Sequence, residues 1–338
     1  MLQVEDKRQE RLVRVSTGSA MTLGLADGVS DVKPSTAYLL TYYPERCSAN
    51  CLFCPQAKMS RSRRDLLSRV SWPVFPLEEV LDALVRRKET VKRVCIQAMN
   101  YPNVTTDLVT TVSQILARID IDVSVSCQPA DLDSLRELHD VGTDRIGIPI
   151  DAATPELFSA LKGHLVGGPY TWERHTQALR EAISVFGAGR VTTHVIVGLG
   201  ETDYSLLRFI RDMVDLGVCP ALFAFTPIPG TTLDKKAPPS LSRYRLLQTA
   251  RFLLVNRLAA FKDMRFDASG ALVSFGVPRR KLSRVIGSGL PYLTCGCPDC
   301  NRPFYNEKPS GPMYNFPRPL TPSELMEVHR IVEGACRD

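Results

Sequence analysis

The sequence predicts an α/β protein whose main part is a (β/α) barrel, partial to nearly complete and TIM-like, followed by a C-terminal extension. Short apolar segments rich in β-branched and aromatic residues alternate with amphipathic segments of about 10 to 15 residues. This alternation indicates parallel strands, because a helix must return the chain before each new strand. The 338-residue chain contains 44% hydrophobic and 23% charged residues, the composition of an ordinary globular protein.

The individual elements follow from these patterns and from turn signals, and we find no internal repeat. Strands are predicted at residues 36–43, 91–97, 123–127, 145–150, 191–197, 221–225 and, as a further possible strand, 264–268. Helices are predicted at residues 76–88, 106–118, 131–142, 170–185, 204–217 and 241–258, and from Thr321 onward. Pro76 begins the first of these helices, Gly142 and Gly217 end two others, and Thr321-Pro-Ser-Glu324 forms a capping box. The chain therefore divides into a lead-in (1–35), a barrel (36–270) and a C-terminal region (271–338).

Cysteine spacing is the strongest functional signal. Six of the ten cysteines fall in two triplets, CSANCLFC from Cys47 and CGCPDC from Cys295, and no export signal precedes them. This pattern favours metal binding over disulfides. The predicted ligands are Cys47, Cys51 and Cys54 in the first triplet and Cys295, Cys297 and Cys300 in the second. The other cysteines are scattered, and Cys95 and Cys127 are interpreted as core residues of predicted strands.

The first triplet predicts a reactive iron–sulfur cluster. Its C-x3-C-x2-C spacing supplies three thiolates, whereas a structural zinc site or a simple electron-transfer cluster uses four ligands. Three ligands leave one iron of a cubane open to an external molecule. The loop also follows the first predicted strand directly. It therefore lies at the carboxyl end of the strands, where (β/α) barrel enzymes place their active sites. A zinc knuckle completed by a distant cysteine is the alternative.

This motif, with Phe53 just before the third cysteine, resembles the signature of the radical S-adenosylmethionine (SAM) superfamily. The resemblance implies that Cys47, Cys51 and Cys54 hold a [4Fe-4S] cluster whose fourth iron chelates SAM, and that Phe53 flanks the adenine. It also implies that reductive cleavage of SAM yields a 5′-deoxyadenosyl radical that abstracts hydrogen.

The resemblance covers residues 36–270 and assigns further SAM contacts by position. CIQAMNYPN replaces the usual Gly-Gly-Glu type motif and is similar to the biotin synthase segment. Asp151 matches an acidic residue near the ribose, although Pro149 stands where an Asn is expected. Arg174 in YTWER corresponds to an arginine that pairs with the SAM carboxylate, the alternative being an exposed arginine beside a helical glutamate. HVIVGLGET and PIPGTTL resemble the adenine-contacting strand and the sixth-strand ending. The candidate SAM contacts are Phe53, Ala98, Met99, Asn100, Asp151, Arg174, Val197, Gly198 and Ile228.

The second triplet predicts an auxiliary iron–sulfur cluster. Gly296 and Pro298 favour a tight turn whose backbone amides can face sulfide. The alternative is an all-thiolate zinc site with Cys336 as the fourth ligand. The fourth ligand of a cluster stays open at this point, with Cys336, Ser288 or another polar group as candidates.

The tail CGCPDCNRPFYNEKPSGPMYNFPRPLT resembles that of the archaeal-type two-component lipoyl synthases. In this family two related radical SAM proteins act on an octanoylated carrier protein. The resemblance implies abstraction of hydrogen from C6 or C8 of the octanoyl chain and capture of the carbon radical on a sulfide of the second cluster. Classical lipoyl synthase places cysteines before the radical loop, but residues 1–46 contain none. Biotin synthase is disfavoured because Thr192 stands where its third auxiliary cysteine belongs.

The resemblance also implies partners, namely a second radical SAM subunit, an acidic octanoylated lipoyl carrier protein and a reductant such as ferredoxin. Two alternatives remain open. The protein could be another radical SAM enzyme that uses its auxiliary cluster for electron transfer or substrate anchoring, or an iron–sulfur assembly or sensing subunit whose partner performs catalysis.

Charge and hydropathy limit the remaining classes. Lys and Arg outnumber Asp and Glu by 42 to 36, and the excess is concentrated in residues 58–69, 86–93 and 279–284. Such runs can steer an acidic partner, although solvated helix faces are the simpler interpretation. Aromatic residues are not interleaved with them, so nucleic-acid binding is not expected. No apolar run approaches the roughly 18 residues of a membrane span, and we expect a cytoplasmic protein.

Overall fold

The structure, a computed structural model, describes residues 10–129 and 131–335. The strands are β1 (Leu12–Val15), β2 (Thr36–Thr41), β3 (Leu66–Leu67), β4 (Val70–Ser71), β5 (Val74–Pro76), β6 (Arg93–Gln97), β7 (Asp122–Ser126), β8 (Arg145–Gly147), β9 (Val191–Val197), β10 (Cys219–Ala224), β11 (Arg265–Phe266) and β12 (Leu272–Ser274). The helices are α1 (Thr17–Leu23), α2 (Leu77–Arg86), α3 (Val104–Arg118), α4 (Leu132–Asp140), α5 (Pro155–Leu161), α6 (Trp172–Phe186), α7 (Asp203–Leu216), α8 (Leu241–Val255), α9 (Arg279–Gly287) and α10 (Pro322–Ala335).

A mostly parallel sheet forms the centre of the molecule. Within the described residues it has eight strands in the order β10-β9-β8-β7-β6-β2-β1-β5. The strands from β2 to β10 in this order are parallel to their neighbours, while β1 is antiparallel to β2 and to β5. The sheet ends at β10 and β5 and does not close. The predicted α/β fold is confirmed in its partial-barrel form.

Several segments differ from the sequence prediction, and helices α5 and α9 and the β3–β4 hairpin are among the elements that it did not include. The possible further strand at residues 264–268 does not join the barrel, because β11 pairs antiparallel with β12 in a separate hairpin. Asp267 forms the turn between them by accepting the backbone N–H groups of Ser269 (2.9 Å) and Ala271 (3.0 Å). The lead-in, for which no element was predicted, contributes β1 to the main sheet and helix α1. The four-residue segment LVRV is too short to show a periodicity.

A charged network marks the amino end of the barrel, where the parallel strands begin. Arg93, the first residue of β6, is buried and pairs with Asp122 and Asp144, each at 2.8 Å. Asp122 begins β7, and Asp144 immediately precedes β8. The opposite, carboxyl end is where the loop carrying the first cysteine triplet follows β2. The described helices include none that is long and apolar enough to cross a membrane.

The C-terminal region returns to the amino end of the barrel. The Thr36 hydroxyl, at the start of β2, donates to the carbonyl of Asp299 at 3.1 Å, and Lys92 pairs with the Asp299 carboxylate at 3.4 Å. Further along, Gln248 of α8 donates to the carbonyl of Tyr314 at 2.9 Å. The second cysteine triplet, which ends just after Asp299, is therefore held against the barrel from the side opposite to the first triplet.

The final helix begins as predicted. The backbone N–H of Glu324 donates to the Thr321 hydroxyl at 3.3 Å, and the Glu324 carboxylate accepts the Thr321 N–H at 2.7 Å. This reciprocal pair is the predicted capping box. Cys336, named above as an alternative ligand, lies outside the described residues.

Candidate active site

The first cysteine loop is a compact set of turns at the carboxyl end of β2. The N–H of Cys54 donates to the carbonyl of Cys51 at 3.1 Å, and the N–H of Lys58 donates to that of Ala49 at 2.8 Å. A bond from the Leu52 N–H to the carbonyl of Leu161 at the end of α5 (2.9 Å) fixes the loop to the barrel. The three thiols are thus presented from a short, internally bonded segment.

The chemistry of these thiols fits an iron–sulfur cluster. Burial raises the pKa of the Cys51 thiol to about 12, opposed by the charge of Lys162. Burial followed by the charges of Cys51 and Cys47 also raises the pKa of Cys54. Such thiols lose their protons when they ligate a metal cation, and the iron of a cluster can be that cation. The Cys47 sulfur also accepts the backbone N–H of Asn100 at 3.2 Å, the type of hydrogen bond that tunes iron–sulfur clusters.

One cavity inside the barrel, with a volume of about 230 Å³, connects the first triplet to most of the predicted SAM contacts. The predicted residues that line it are Cys47, Cys51, Phe53, Cys54, Ala98, Met99, Asn100, Asp151, Ile228, Cys295, Cys297 and Cys300. Both triplets therefore face the same space. The first enters from the carboxyl end of the strands and the second from the amino end.

Arg174 is not brought to this cavity. It lies in the first turn of α6 with 39% of its side chain exposed, and it pairs with Glu181 of the same helix at 2.9 Å. This placement corresponds to the alternative considered above, an exposed arginine beside a helical glutamate. A contact between Arg174 and SAM stays a prediction that this geometry does not support.

Val197 and Gly198 also lie outside the cavity lining. Val197 is fully buried, and the residues of β9 that line the cavity are Thr192, His194 and Ile196. The Glu201 carboxylate accepts the N–H groups of Gly198 (2.8 Å) and Gly200 (3.0 Å). These two backbone donors are therefore already engaged within the turn. Gly198 has φ +103°, and a Cβ there would lie 2.9 Å from Pro239. The turn is thus built around an internal carboxylate.

A buried ion pair that the sequence did not reveal lies beside the first triplet. Lys162, with a fully buried side chain, donates to the Asp151 carboxylate and to the Pro149 carbonyl, both at 2.8 Å. Asp151 adopts a left-handed conformation with φ +67°. Lys162 follows the apolar end of α5, where no pattern distinguishes a buried lysine from an exposed one. The Lys162 charge lowers the pKa of the neighbouring Cys51 thiol, and the Asp151 charge raises it.

The second triplet has polar partners that the sequence did not indicate either. The Cys295 sulfur accepts the N–H of Leu222 in β10 at 3.2 Å. The Tyr38 hydroxyl lies 3.4 Å from the Cys300 sulfur and accepts the N–H of Arg302 at 2.9 Å. Burial and the neighbouring Cys300 raise the pKa of Tyr38 well above its usual value, and in the contact with Cys300 either the hydroxyl or the thiol can be the donor.

Arg302 supplies positive charge to this triplet. Its guanidinium lies 4.0 Å from the centre of the Phe223 ring inside the barrel. Burial alone would lower the pKa of Arg302, but the neighbouring acidic groups together, with Cys300 and Cys295 first among them, raise it. A fixed cation beside three thiols is suited to the net negative charge of a thiolate-ligated cluster.

Comparisons with known proteins identify the family. Residues 41–213, just over half of the chain, match the family described as the Radical SAM superfamily. The chain belongs to the radical SAM superfamily. Membership implies an enzyme that uses a [4Fe-4S] cluster and SAM, and Cys47, Cys51 and Cys54 are the residues that fit this cluster. None of the curated proteins compared with the chain matches it.

Solved structures of other proteins share the fold. A crystal structure of methylornithine synthase (PylB) is 16% identical with a TM-score of 0.51, covering 65% of this chain and 62% of that one. A crystal structure of HydG, a maturase of the [FeFe]-hydrogenase, is 16% identical with a TM-score of 0.50, covering 62% and 47%. The chain thus spans less than two thirds of either protein. At this identity the similarity concerns the fold alone.

Proposed function

We propose that this radical SAM enzyme inserts sulfur into an unactivated C–H bond of a protein-bound octanoyl-lysine, as one subunit of a two-component lipoyl synthase. The observation that carries the proposal is that the two cysteine triplets face one cavity from opposite ends of the barrel. A substrate carbon held between them would be near a site of hydrogen abstraction and a source of sulfur at once. The resemblance of the tail to that family gives the substrate class.

The chain's own residues supply positioning and exclusion of water. When bound, the first cluster and SAM would provide the hydrogen-abstracting radical, and a second cluster would provide sulfide. The wall between the triplets includes Leu40, Met99, Ile196 and Phe223, which offer an apolar surface to an alkyl chain. Apolar walls keep water and competing hydrogen donors away from a reactive carbon. Holding the C–H bond close to the reacting group accounts for much of the rate in such reactions.

The test is anaerobic reconstitution with iron and sulfide, followed by one turnover with SAM and reductant. Octanoyl-lysyl, 6-mercapto-octanoyl-lysyl and 8-mercapto-octanoyl-lysyl peptides cover both orders of sulfur insertion. We expect about eight iron per chain, as two cubanes require, and a mass gain of one sulfur on at least one peptide. Formation of 5′-deoxyadenosine with all three peptides unsulfurated would contradict the proposal and favour electron transfer or substrate anchoring by a second cluster.

The proposed carrier protein would dock at the carboxyl end of the barrel. Lys58 and Arg61 are exposed in the segment that follows the first triplet, beside Met59 with 71% exposure. The Arg61 N–H donates to the carbonyl of Gly230 at 2.8 Å, which fixes this segment to the loop after β10. A basic surface next to the cavity is complementary to an acidic carrier. A second radical SAM subunit and a reductant such as ferredoxin remain part of the proposal.

Reversing these charges is expected to weaken recognition of the carrier alone. In the double variant Lys58→Glu/Arg61→Glu, we expect kcat/KM for an octanoylated acidic carrier to fall about tenfold at low salt, because long-range attraction speeds encounter. Turnover of an octanoyl-lysyl peptide should be unchanged. The matched control is Arg279→Glu/Arg280→Glu in α9. Two results would contradict docking at residues 58–61. One is an equal loss of kcat/KM for the carrier in both double variants, and the other is an equal loss for the carrier and the peptide in Lys58→Glu/Arg61→Glu.

A further inference from the structure

A fourth thiol faces the same cavity as the second triplet, from the wall of the barrel. Cys95 is the third residue of β6, and it is paired in register with Tyr38 of β2. Both side chains face the cavity that the second triplet lines. Cys95 and Cys300 pack against the same apolar cluster, which contains Tyr38 and Trp72. The Tyr38 hydroxyl, 3.4 Å from the Cys300 sulfur, links the strand pair to the tail.

Cys127 provides a contrast on a neighbouring part of the same cavity wall. It belongs to the main hydrophobic core of the barrel, whereas Cys95 and Cys300 pack against the smaller cluster that contains Tyr38. Of these two barrel cysteines, Cys95 is therefore the one that shares its packing environment with Cys300.

Of the two residues named from the sequence as a fourth ligand, Ser288 is not brought to the cavity. The Ser288 hydroxyl donates to the carbonyl of Val285 at 2.7 Å and does not line the cavity. The Tyr38 hydroxyl is bonded to the Arg302 N–H. Cys336 lies outside the residues that the structure describes.

The geometry differs from that of a site for one metal ion. No three Cys, His, Asp or Glu side chains in the described ranges are arranged to hold a single ion. A cubane is a larger core, and its four thiolates bind separate iron corners rather than one shared point. Cys95 and the tail cysteines therefore need only surround a common space, which they do.

We propose that Cys95 is the fourth protein ligand of an auxiliary [4Fe-4S] cluster held by Cys295, Cys297 and Cys300. The inference rests on the proposed function only in requiring a cluster at the second triplet, and it is independent of the substrate. Four thiolates leave no iron open, so this cluster cannot anchor a substrate through iron. The ligand set also joins the barrel wall to the C-terminal region, and Arg302 offsets its negative charge.

The test isolates the second cluster in a variant that lacks the first, Cys47→Ala/Cys51→Ala/Cys54→Ala. After anaerobic reconstitution this background should bind about four iron per chain. Adding Cys127→Ala should leave the iron content and the EPR spectrum unchanged. Adding Cys95→Ala should lower the iron content by about one atom and produce the EPR signal of a [3Fe–4S] cluster after mild oxidation. Thermal unfolding of the apo variants checks that each chain folds.

The outcomes separate this inference from the proposed function. Four iron and an unaltered spectrum in a folded Cys95→Ala variant would overturn the assignment of Cys95. Zinc, or no metal, in the background variant would overturn the auxiliary cluster itself. Loss of iron on Cys95→Ala, together with no sulfur insertion in the peptide assay, would support Cys95 as a ligand while rejecting the sulfur-insertion function.

Discussion

Replacing Cys47, Cys51 and Cys54 together by alanine is expected to reduce the formation of 5′-deoxyadenosine from SAM to background. The chain is a radical SAM enzyme by its match over residues 41–213, and these three thiols lie in one internally bonded loop at the cavity. Without them no cluster can be held where SAM must be reduced. The measurement is chromatographic quantification of 5′-deoxyadenosine after anaerobic incubation with SAM and a strong reductant.

The control for this prediction is Cys219→Ala. Cys219 begins β10 and does not line the cavity, and its sulfur lies 3.9 Å from an Arg251 guanidinium nitrogen. The control should retain full 5′-deoxyadenosine formation, while the triple variant should fall from about eight iron to about four. Undiminished 5′-deoxyadenosine from the triple variant would show that the radical cluster is elsewhere.

Local sequence features predict the fold class, which the structure confirms, and they also pick out the two cysteine triplets as candidate ligands. A cluster loop such as residues 47–54 carries its ligands within a few residues of one another, so their spacing is readable without tertiary structure. Parallel strands were equally readable, because each is a short apolar run between two amphipathic helices. The capping box at Thr321 and Glu324 is also local, and its two hydrogen bonds are present.

Features that depend on long-range pairing could not be predicted. Tyr38, Cys95 and Arg302 are brought together by the register of β2 with β6 and by the return of the tail into the barrel. Nothing in the local sequence specifies either. For Arg174 a matching motif predicts a SAM contact, whereas the structure pairs that side chain with Glu181 of the same helix, so the contact stays a prediction. Motif position alone does not determine which face of a helix lines a site.

Replacing Cys295, Cys297 and Cys300 by serine is expected to separate radical formation from sulfur insertion. The second triplet is held at the amino end of the barrel by contacts such as Thr36 to Asp299, away from the loop that carries the first triplet. Removing it should therefore leave the first cluster in place. We expect 5′-deoxyadenosine to form still, while the thiolated octanoyl-lysyl peptide falls below detection by mass spectrometry.

This variant also distinguishes a sulfur donor from an electron conduit. If a second cluster only relayed electrons to the first, its loss would slow 5′-deoxyadenosine formation by any reductant that depends on that route. If it donates sulfur, cleavage of SAM is preserved and only the fate of the carbon radical changes.

Isotopic labelling tests the source of the sulfur directly. When the wild-type chain is reconstituted with isotopically heavy sulfide, the label must appear in the product during one turnover. Unlabelled thiolated product, or thiolated product from the serine variant, would exclude the second triplet as the source of sulfur. Cys219→Ala, which lies outside the cavity lining, should behave as the wild type in both assays.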